Sequence, residues 1–402
     1  MKILITNNTL SSRCGSEMYV KEIAGALLAR GHQIAAYSTI LGRVAQDMRE
    51  DGIFITDNLE QICWKPDIIH GQHHLDAMTA ILHFPDVPAV FFCHGWRPWQ
   101  ETPPLHPRII KYVAVDQATL DSAVQKYHIP AEKIRIIHNF VDLKRFRPRG
   151  RLPDKPRKAL VFSNYASEAN YLPHVRRACK EFGISVATIG LSSGNCRDHP
   201  EEVIGDYDLV FAYGRSAIES LAAGCALIIC GVWGIGPMVT IEDFDRLRDL
   251  NFGMAAVISP VDSEAIKREI RRYDASDAEQ AGERIRLIAG IDATVDKIID
   301  FYREALDEYS SLAISAEEEA RAASSYLRDV SELLKKRDFE CNELKAEFEI
   351  LKAYYDHIKW IKRAFKIPVA GRLLQPFKSM LKRALSGRSQ AGSANHNAVN
   401  NE

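Results

Sequence analysis

The 402-residue chain has no disulfide framework: its eight cysteines are scattered, none form a C-x-x-C pair, and Cys225 and Cys230 fall inside an apolar run. That usage fits a reducing cytoplasm. No apolar stretch approaches the ~18 to 20 residues needed to cross a bilayer. The opening residues, Met1-Lys2-Ile3-Leu4-Ile5-Thr6-Asn7, read as a strand leading into a loop and not as a signal peptide. Net charge is also nearly absent, at −1, but it is unevenly spread: residues 359–402 hold nine Lys/Arg against one acid, a balance of +8, which leaves −9 for residues 1–358. A body with that sign of charge does not track a nucleic-acid backbone.

What is present is a 46% hydrophobic chain, long enough for two ordinary domains and an appendage. Apolar strands alternate with amphipathic helices, with strands expected at 2–7, 32–38, 53–56, 67–72, 89–95, 110–115 and 133–138 and a helix at 17–30. A Pro-, Gly- and charge-rich linker at 148–157 separates these from a second set at 159–163, 185–190, 208–213, 225–231 and 255–259. The fold class is therefore α/β: two doubly wound, Rossmann-like domains, 1–150 and 151–311, facing a cleft that holds a shared ligand at the carboxyl ends of the strands.

Around that cleft the stretch Tyr213-Gly214-Arg215-Ser216-Ala217-Ile218-Glu219 lies between two apolar strands. Gly214 permits a sharp turn, and the helix it opens directs free N–H groups at an anion. Ser216 and Glu219 equally have the spacing of a capping box, in which the glutamate serves the helix and no ligand. The loop Cys14-Gly15-Ser16-Glu17 opens another helix and offers a phosphate the same geometry, or simply makes a turn. His94-Gly95-Trp96 follows the strand Ala89-Val90-Phe91-Phe92-Cys93, where an imidazole beside aromatic faces suits a sugar; the alternative is a histidine capping a turn. His70, His73, His74 and Asp76 straddle a strand end and a helix start and match no metal-ligand spacing. Gly231-Val232-Trp233-Gly234-Ile235-Gly236-Pro237 is Gly-rich but not in dinucleotide-fingerprint order.

Beyond a helix at 293–311, the residues Leu327, Val330, Leu334, Cys341, Leu344, Phe348, Leu351, Tyr355 and Ile358 recur at spacings of three and four, broken once at Arg337. This heptad pattern predicts a coiled coil over 312–358 and a homo-oligomer, the alternative being one amphipathic helix folded on the body. Residues 359–385 mix basic and large apolar side chains and suit an anionic membrane surface. Residues 386–402, rich in Asn, Ser and Gly, are expected to be disordered.

In its first half the chain resembles the GT-B glycosyltransferases of retaining family 4. The resemblance rests on Gly15-Ser16-Glu17 with Arg30-Gly31-His32, Pro66-Asp67-Ile68-Ile69-His70, Cys93-His94-Gly95, and His138-Asn139-Phe140-Val141-Asp142 with Phe146-Arg147-Pro148. In the second half Glu219-Ser220-Leu221-Ala222-Ala223-Gly224 resembles the family's glutamate block. The resemblance implies a sugar transfer from a nucleotide-sugar to a glycan or lipid-linked acceptor, without metal or other cofactor, at the cytoplasmic face of the membrane, in a setting such as bacterial surface-polysaccharide assembly. It places His94 as the catalytic candidate touching the transferred sugar. Gly15, Gly214, Arg215, Ser216 and Glu219 fall on the donor, with Glu219 at its ribose, and Glu17, Trp96, Asn139 and Asp142 in the acceptor side of the cleft.

Two departures stand out. The first of the family's paired glutamates, separated from Glu219 by seven residues, falls on Phe211, and the diphosphate clamp is missing from Phe162-Ser163-Asn164-Tyr165. Arg215, or Arg176 and Arg177, is expected to supply the lost charge. A non-catalytic glycan- or nucleotide-binding scaffold and a sugar-nucleotide epimerase are the alternative functions.

Overall fold

A computed structural model describes residues 1–365, with side chains through residue 360. The first half alternates as expected: β1 (Lys2–Thr6), α1 (Gly15–Ala29), β2 (Gln33–Tyr37), α2 (Arg43–Glu50), β3 (Phe54–Thr56), β4 (Ile68–Gln72), α3 (His74–His83), β5 (Ala89–Cys93), β6 (Ile109–Ala114), α4 (Gln117–Gln125) and β7 (Ile134–Ile136). The strands form one parallel sheet in the order β3-β2-β1-β4-β5-β6-β7. Winding reverses between β1 and β4. The loops leaving those two strands, which lead to α1 and α3, therefore diverge and open the crevice where such sheets bind ligands.

The second half comprises β8 (Lys158–Phe162), α5 (Leu172–Glu181), β9 (Ser185–Ile189), β10 (Leu209–Ala212), α6 (Arg215–Ala222), β11 (Ala226–Gly231), β12 (Gly234–Met238), α7 (Phe244–Asp249), α8 (Ser263–Ile270) and α9 (Ala275–Ile288). Its sheet order is β12-β11-β10-β8-β9, parallel except for β12. The reversal here falls between β8 and β10, so the Ser163-Asn164-Tyr165 loop and the start of α6 line the second side of the crevice. Residues of β10 and β11 are buried on both faces of this sheet, which is why they read as unbroken apolar runs.

Two sequence expectations need correction. Residues 255–259 form no strand: Met254–Ala256 is a single 3₁₀ turn, and Ser259 makes only a lone bridge to Ile235. The edge strand is instead β12, inside the Gly-rich segment. Its glycines admit neighbouring backbone, for a Cβ on Gly236 would sit 2.5 Å from the Ala256 carbonyl oxygen.

Helix α10 (Ile291–Ser310) follows the second sheet in the chain yet packs on the first. Val295, Ile298, Ile299, Phe301, Tyr302 and Ala305 join the core under β1, β4 and β5 with residues of α1 and α2. Tyr302 is fully buried against His70. The Gln72 amide nitrogen occupies His70 Nε2 at 3.1 Å, so the ring proton sits on Nδ1 and is donated to the Tyr302 oxygen. Burial holds the His70 pKa far below the usual histidine range. Residues 1–314 thereby form one compact unit.

The second unit begins at Ser315. Its described part is α11 (Ala316–Phe365), a continuous 50-residue helix that passes the expected end at 358. Most of the membrane-surface segment expected at 359–385, and all of the tail at 386–402, lie outside the described residues. No helix among the described residues is long and apolar enough to cross a membrane.

The packing of α10 yields a test. Tyr302→Ala removes a buried ring and the partner of a buried imidazole, and urea denaturation is expected to show a loss of about 3 to 5 kcal/mol. Tyr302→Phe, which leaves only the His70 N–H unsatisfied, is expected to cost about 1 to 3 kcal/mol.

Candidate functional site

On the first side of the crevice, α1 starts at Gly15, which is exposed, with open space where a Cβ would project. Glu17 is buried in the first turn, and its Oε2 accepts from Ser16 Oγ at 3.0 Å. Burial pushes its pKa up. Just beyond β5, the backbone N–H of His94 donates to Glu101 Oε2 at 2.9 Å, and Glu101 Oε1 lies 3.2 Å from His73 Nε2. The Asn8 amide occupies His73 Nδ1 at 3.0 Å. In the neutral ring this fixes the proton on Nε2, toward Glu101. Burial disfavours an imidazolium at His73, but the Glu101 carboxylate outweighs it and raises the pKa. The chain Asn8–His73–Glu101 thus holds the His94 backbone from two loops.

The His94 ring stands edge-on to Tyr19, with centroids 4.5 Å apart. Desolvation lowers its pKa to about 4, with Glu101 opposing and His73 and Arg215 assisting, so the imidazole is neutral at pH 7. Its Nε2 is buried and lacks a hydrogen-bond partner among the described residues. It is free to donate to, or accept from, one hydroxyl.

On the other side, only Tyr213 and Gly214 separate β10 from α6. Gly214 caps the helix at φ 61° and ψ −131°, a conformation that residues with a Cβ avoid. The capping-box expectation for Ser216 and Glu219 does not hold. The N-cap is two residues earlier, Ser216 Oγ donates to the Tyr213 carbonyl at 3.0 Å, and Glu219 turns to Arg215.

Arg215 crosses between the halves. One Nη2 reaches Glu22 Oε2 of α1 at 2.7 Å and Glu219 Oε1 at 3.4 Å, while the guanidinium lies over Phe140 at 5.4 Å. Phe140 in turn packs on Tyr19 at 5.2 Å, so a column of rings runs from Arg215 to His94. Glu22 also meets Arg145 Nη1 at 2.9 Å, and Arg145 pairs with Glu201 at 2.9 and 3.1 Å. Three carboxylates therefore share two guanidiniums. The imbalance falls on Glu219, whose pKa rises to about 7 through burial and the charge of Glu22, against the pull of Arg215 and Arg145. Burial opposes the charge of Arg215 itself, yet Glu22 and Glu219 draw its pKa up. Arg215 Nη1 is buried and, among the described residues, without a partner.

The remaining expected residues divide. Trp96 stacks under Arg97 at 4.6 Å, and Arg97 also lies 5.3 Å from Trp233 of the second half, at the crevice mouth. Asn139 is a buried tie: its N–H donates to Asn251 Oδ1 at 3.3 Å and its carbonyl accepts from Arg248 Nη2 at 2.7 Å. Asp142 caps a turn by accepting from the Lys144 and Arg145 amides at 2.9 and 3.3 Å, and so reaches the site only through Arg145. Arg176 is exposed on α5 and paired with Glu168, and Arg177 is exposed, so only Arg215 of the three lies between the halves. Phe211 is fully buried in the core beneath β10 and does not face the crevice. His70, His73 and His74 point to Tyr302, Glu101 and Trp99 in turn, and among the described residues no group of three His, Cys, Asp or Glu side chains could hold a metal.

Sequence reasoning missed Glu22, Tyr19, Glu101, Arg145 and Glu201. Glu22 gave no signal, because its partner Arg215 is 193 residues away. The network makes a directional prediction. Glu22→Gln removes a neighbouring negative charge and leaves Arg215 to Glu219, so the Glu219 pKa is expected to fall from about 7 toward the ordinary carboxylate range in a carboxyl-carbon NMR titration. An unchanged midpoint would show that the three carboxylates are not coupled.

Residues 14–145 match the family model described as Glycosyltransferase Family 4. A glycosyltransferase from Rickettsia africae aligns with a TM-score of 0.57 at 14% identity, covering 76% of this chain and 98% of its own. HepE from Anabaena, solved in complex with UDP and glucose, aligns with a TM-score of 0.55 at 13% identity, covering 76% of this chain and 100% of its own. No curated protein matches the sequence. The chain has the GT-B fold of these glycosyltransferases, and within its first half residues 14–145 carry the Glycosyltransferase Family 4 match.

Proposed function

We propose that the protein transfers a sugar from a nucleotide-sugar to a membrane-associated or surface-glycan acceptor. The observation that carries this reading is the pair of buried, unpartnered nitrogens, His94 Nε2 and Arg215 Nη1, set at the two ends of the Tyr19–Phe140 ring column. One suits a sugar hydroxyl and the other a phosphate oxygen. The UDP and glucose in the HepE structure support the same ligand class.

In this reading the diphosphate lies by Gly15, Gly214, Arg215 and Ser216, where two helix starts and a guanidinium offset the charge left on the departing group. Glu219 accepts from the ribose hydroxyls. Glu17 and Trp96 face the acceptor, while Asn139 and Asp142 hold the frame. Because Glu219 titrates near 7, donor affinity is expected to rise, by up to about tenfold, as pH increases through 7 and the stronger carboxylate acceptor forms. Glu219→Gln is expected to flatten that profile in calorimetry.

A second reading, a non-catalytic glycan or nucleotide binder, draws on Phe211, which puts no carboxylate at the donor, and on the carboxylates already held by Arg215. Incubation with a panel of nucleotide-sugars separates the readings. Transfer or slow hydrolysis supports the transferase, epimerised donor supports an epimerase, and binding without turnover supports the scaffold. Absence of any nucleotide binding would overturn both enzyme readings. Arg215→Lys keeps the charge but loses the planar fork, and is expected to weaken donor binding about tenfold; an unchanged Kd would remove Arg215 from the donor site.

The basic and apolar residues of 359–385 are proposed to hold the enzyme at an anionic membrane. Deleting 359–402 is expected to abolish sedimentation with phosphatidylglycerol vesicles at 0.1 M salt. Undiminished sedimentation would place the membrane contact elsewhere.

A further inference from the structure

Helix α11 carries an apolar stripe at alternating spacings of three and four, broken at Arg337, with Leu333, Phe339, Ile350 and Tyr354 lying outside it. Leu327, Leu334, Cys341, Phe348 and Tyr355 take the a positions of five heptads, and Val330, Arg337, Leu344, Leu351 and Ile358 the d positions. The stripe runs about 48 Å along the helix at 1.5 Å per residue. Several of its members are exposed, including Leu327 at 64%, Leu334 at 56% and Leu344 at 59%. A stripe of this regularity specifies a coiled-coil seam, because 3.5-residue spacing keeps it facing a partner helix through successive turns.

The flanking charges identify the partner. Positions g hold Glu340 and Glu347, and positions e hold Lys345, Lys352 and Lys359. In a parallel, in-register pair each g residue faces the e residue five places on in the other helix, so Glu340 meets Lys345 and Glu347 meets Lys352, twice over by symmetry. Antiparallel pairing sets g against g and e against e. It would bring glutamate beside glutamate and, apart from Asp338, lysine beside lysine. Arg337 at d argues for two strands: in a two-stranded coil its stem packs while the head reaches water, whereas three strands would enclose three guanidiniums.

We propose that α11 binds a second copy of this chain as a parallel, in-register, two-stranded coiled coil. The arrangement is independent of the sugar-transfer reading. It pairs Cys341 with its symmetry mate across an a layer.

The test uses the full chain with Cys63 and Cys196, the other exposed cysteines, changed to serine. Sedimentation equilibrium is expected to give a dimer. Oxidation by copper-phenanthroline in air, which removes two electrons and two protons per pair, is expected to give a covalent dimer on a non-reducing gel that Cys341→Ser abolishes. Two facing a-layer cysteines meet the Cα separation of about 4.4 to 6.8 Å that a disulfide requires. Glu340→Lys with Glu347→Lys is expected to raise the dimer dissociation constant at least about tenfold, and adding Lys345→Glu with Lys352→Glu to restore it. Loss of helix or of fold is separated from loss of pairing by this restoration and by unchanged melting of the body. A monomer or trimer, a dimer that Cys341 does not cross-link, or a quadruple variant that fails to recover would each overturn the proposal.

Discussion

Much of the crevice depends on one electrostatic constraint: two guanidiniums, Arg215 and Arg145, divided among the carboxylates of Glu22, Glu201 and Glu219 between two sheets. Out of bulk water such charges interact strongly, and removing one partner leaves another uncompensated. The network therefore fixes how α1 faces α6. Burial is the main reason that the Glu219 pKa is raised to about 7, and the charge of Glu22 adds to it against the pull of Arg215 and Arg145. An anionic ligand entering beside Arg215 meets a guanidinium already engaged by Glu22. Binding is then an exchange of one anion for another at Arg215, and not the filling of a bare positive pocket.

The strand positions were largely legible because parallel strands buried on both faces read as apolar runs, and the doubly wound pattern then points to where a ligand sits. Legibility failed where glycine was chosen for another chain segment's sake. β12 has the composition of a loop, Gly234-Ile235-Gly236-Pro237-Met238, because the backbone at Ala256 and Ser259 passes too close for a side chain. The Ser216–Glu219 spacing misled for a related reason. A capping box is a local pattern, and local geometry yields when a side chain finds a charged partner on another element, here Arg215 bridging to Glu22. Glu22 itself carries no local signal, since only the fold brings α1 and α6 together.

The comparison of Phe211 with an expected glutamate also takes a different form in three dimensions. Counting back from Glu219 lands inside β10, on a ring packed in the core. The difference is thus not a substitution on an otherwise equivalent surface. With only Tyr213 and Gly214 between strand and helix, the turn has no room for a residue that reaches back over a donor sugar. The residues that this turn and helix offer the proposed donor are Gly214, Arg215, Ser216 and Glu219.

That restriction gives His94 added weight. A buried polar atom without a partner costs about 1 to 3 kcal/mol, a cost a fold sustains where another demand fixes the side chain. His94 Nε2 and Arg215 Nη1 are two such atoms, and the surrounding structure restrains both residues: Asn8, His73 and Glu101 secure the His94 backbone, and Glu22 and Glu219 hold the other arm of the Arg215 guanidinium. A side chain held by its neighbours while one buried nitrogen stays unpaired is preorganised for a ligand, since little ordering is left to do on binding. Tyr19 and Phe140 are packed between them. A hydroxyl at one nitrogen and an anionic oxygen at the other is the pairing on which the proposed nucleotide-sugar reading rests.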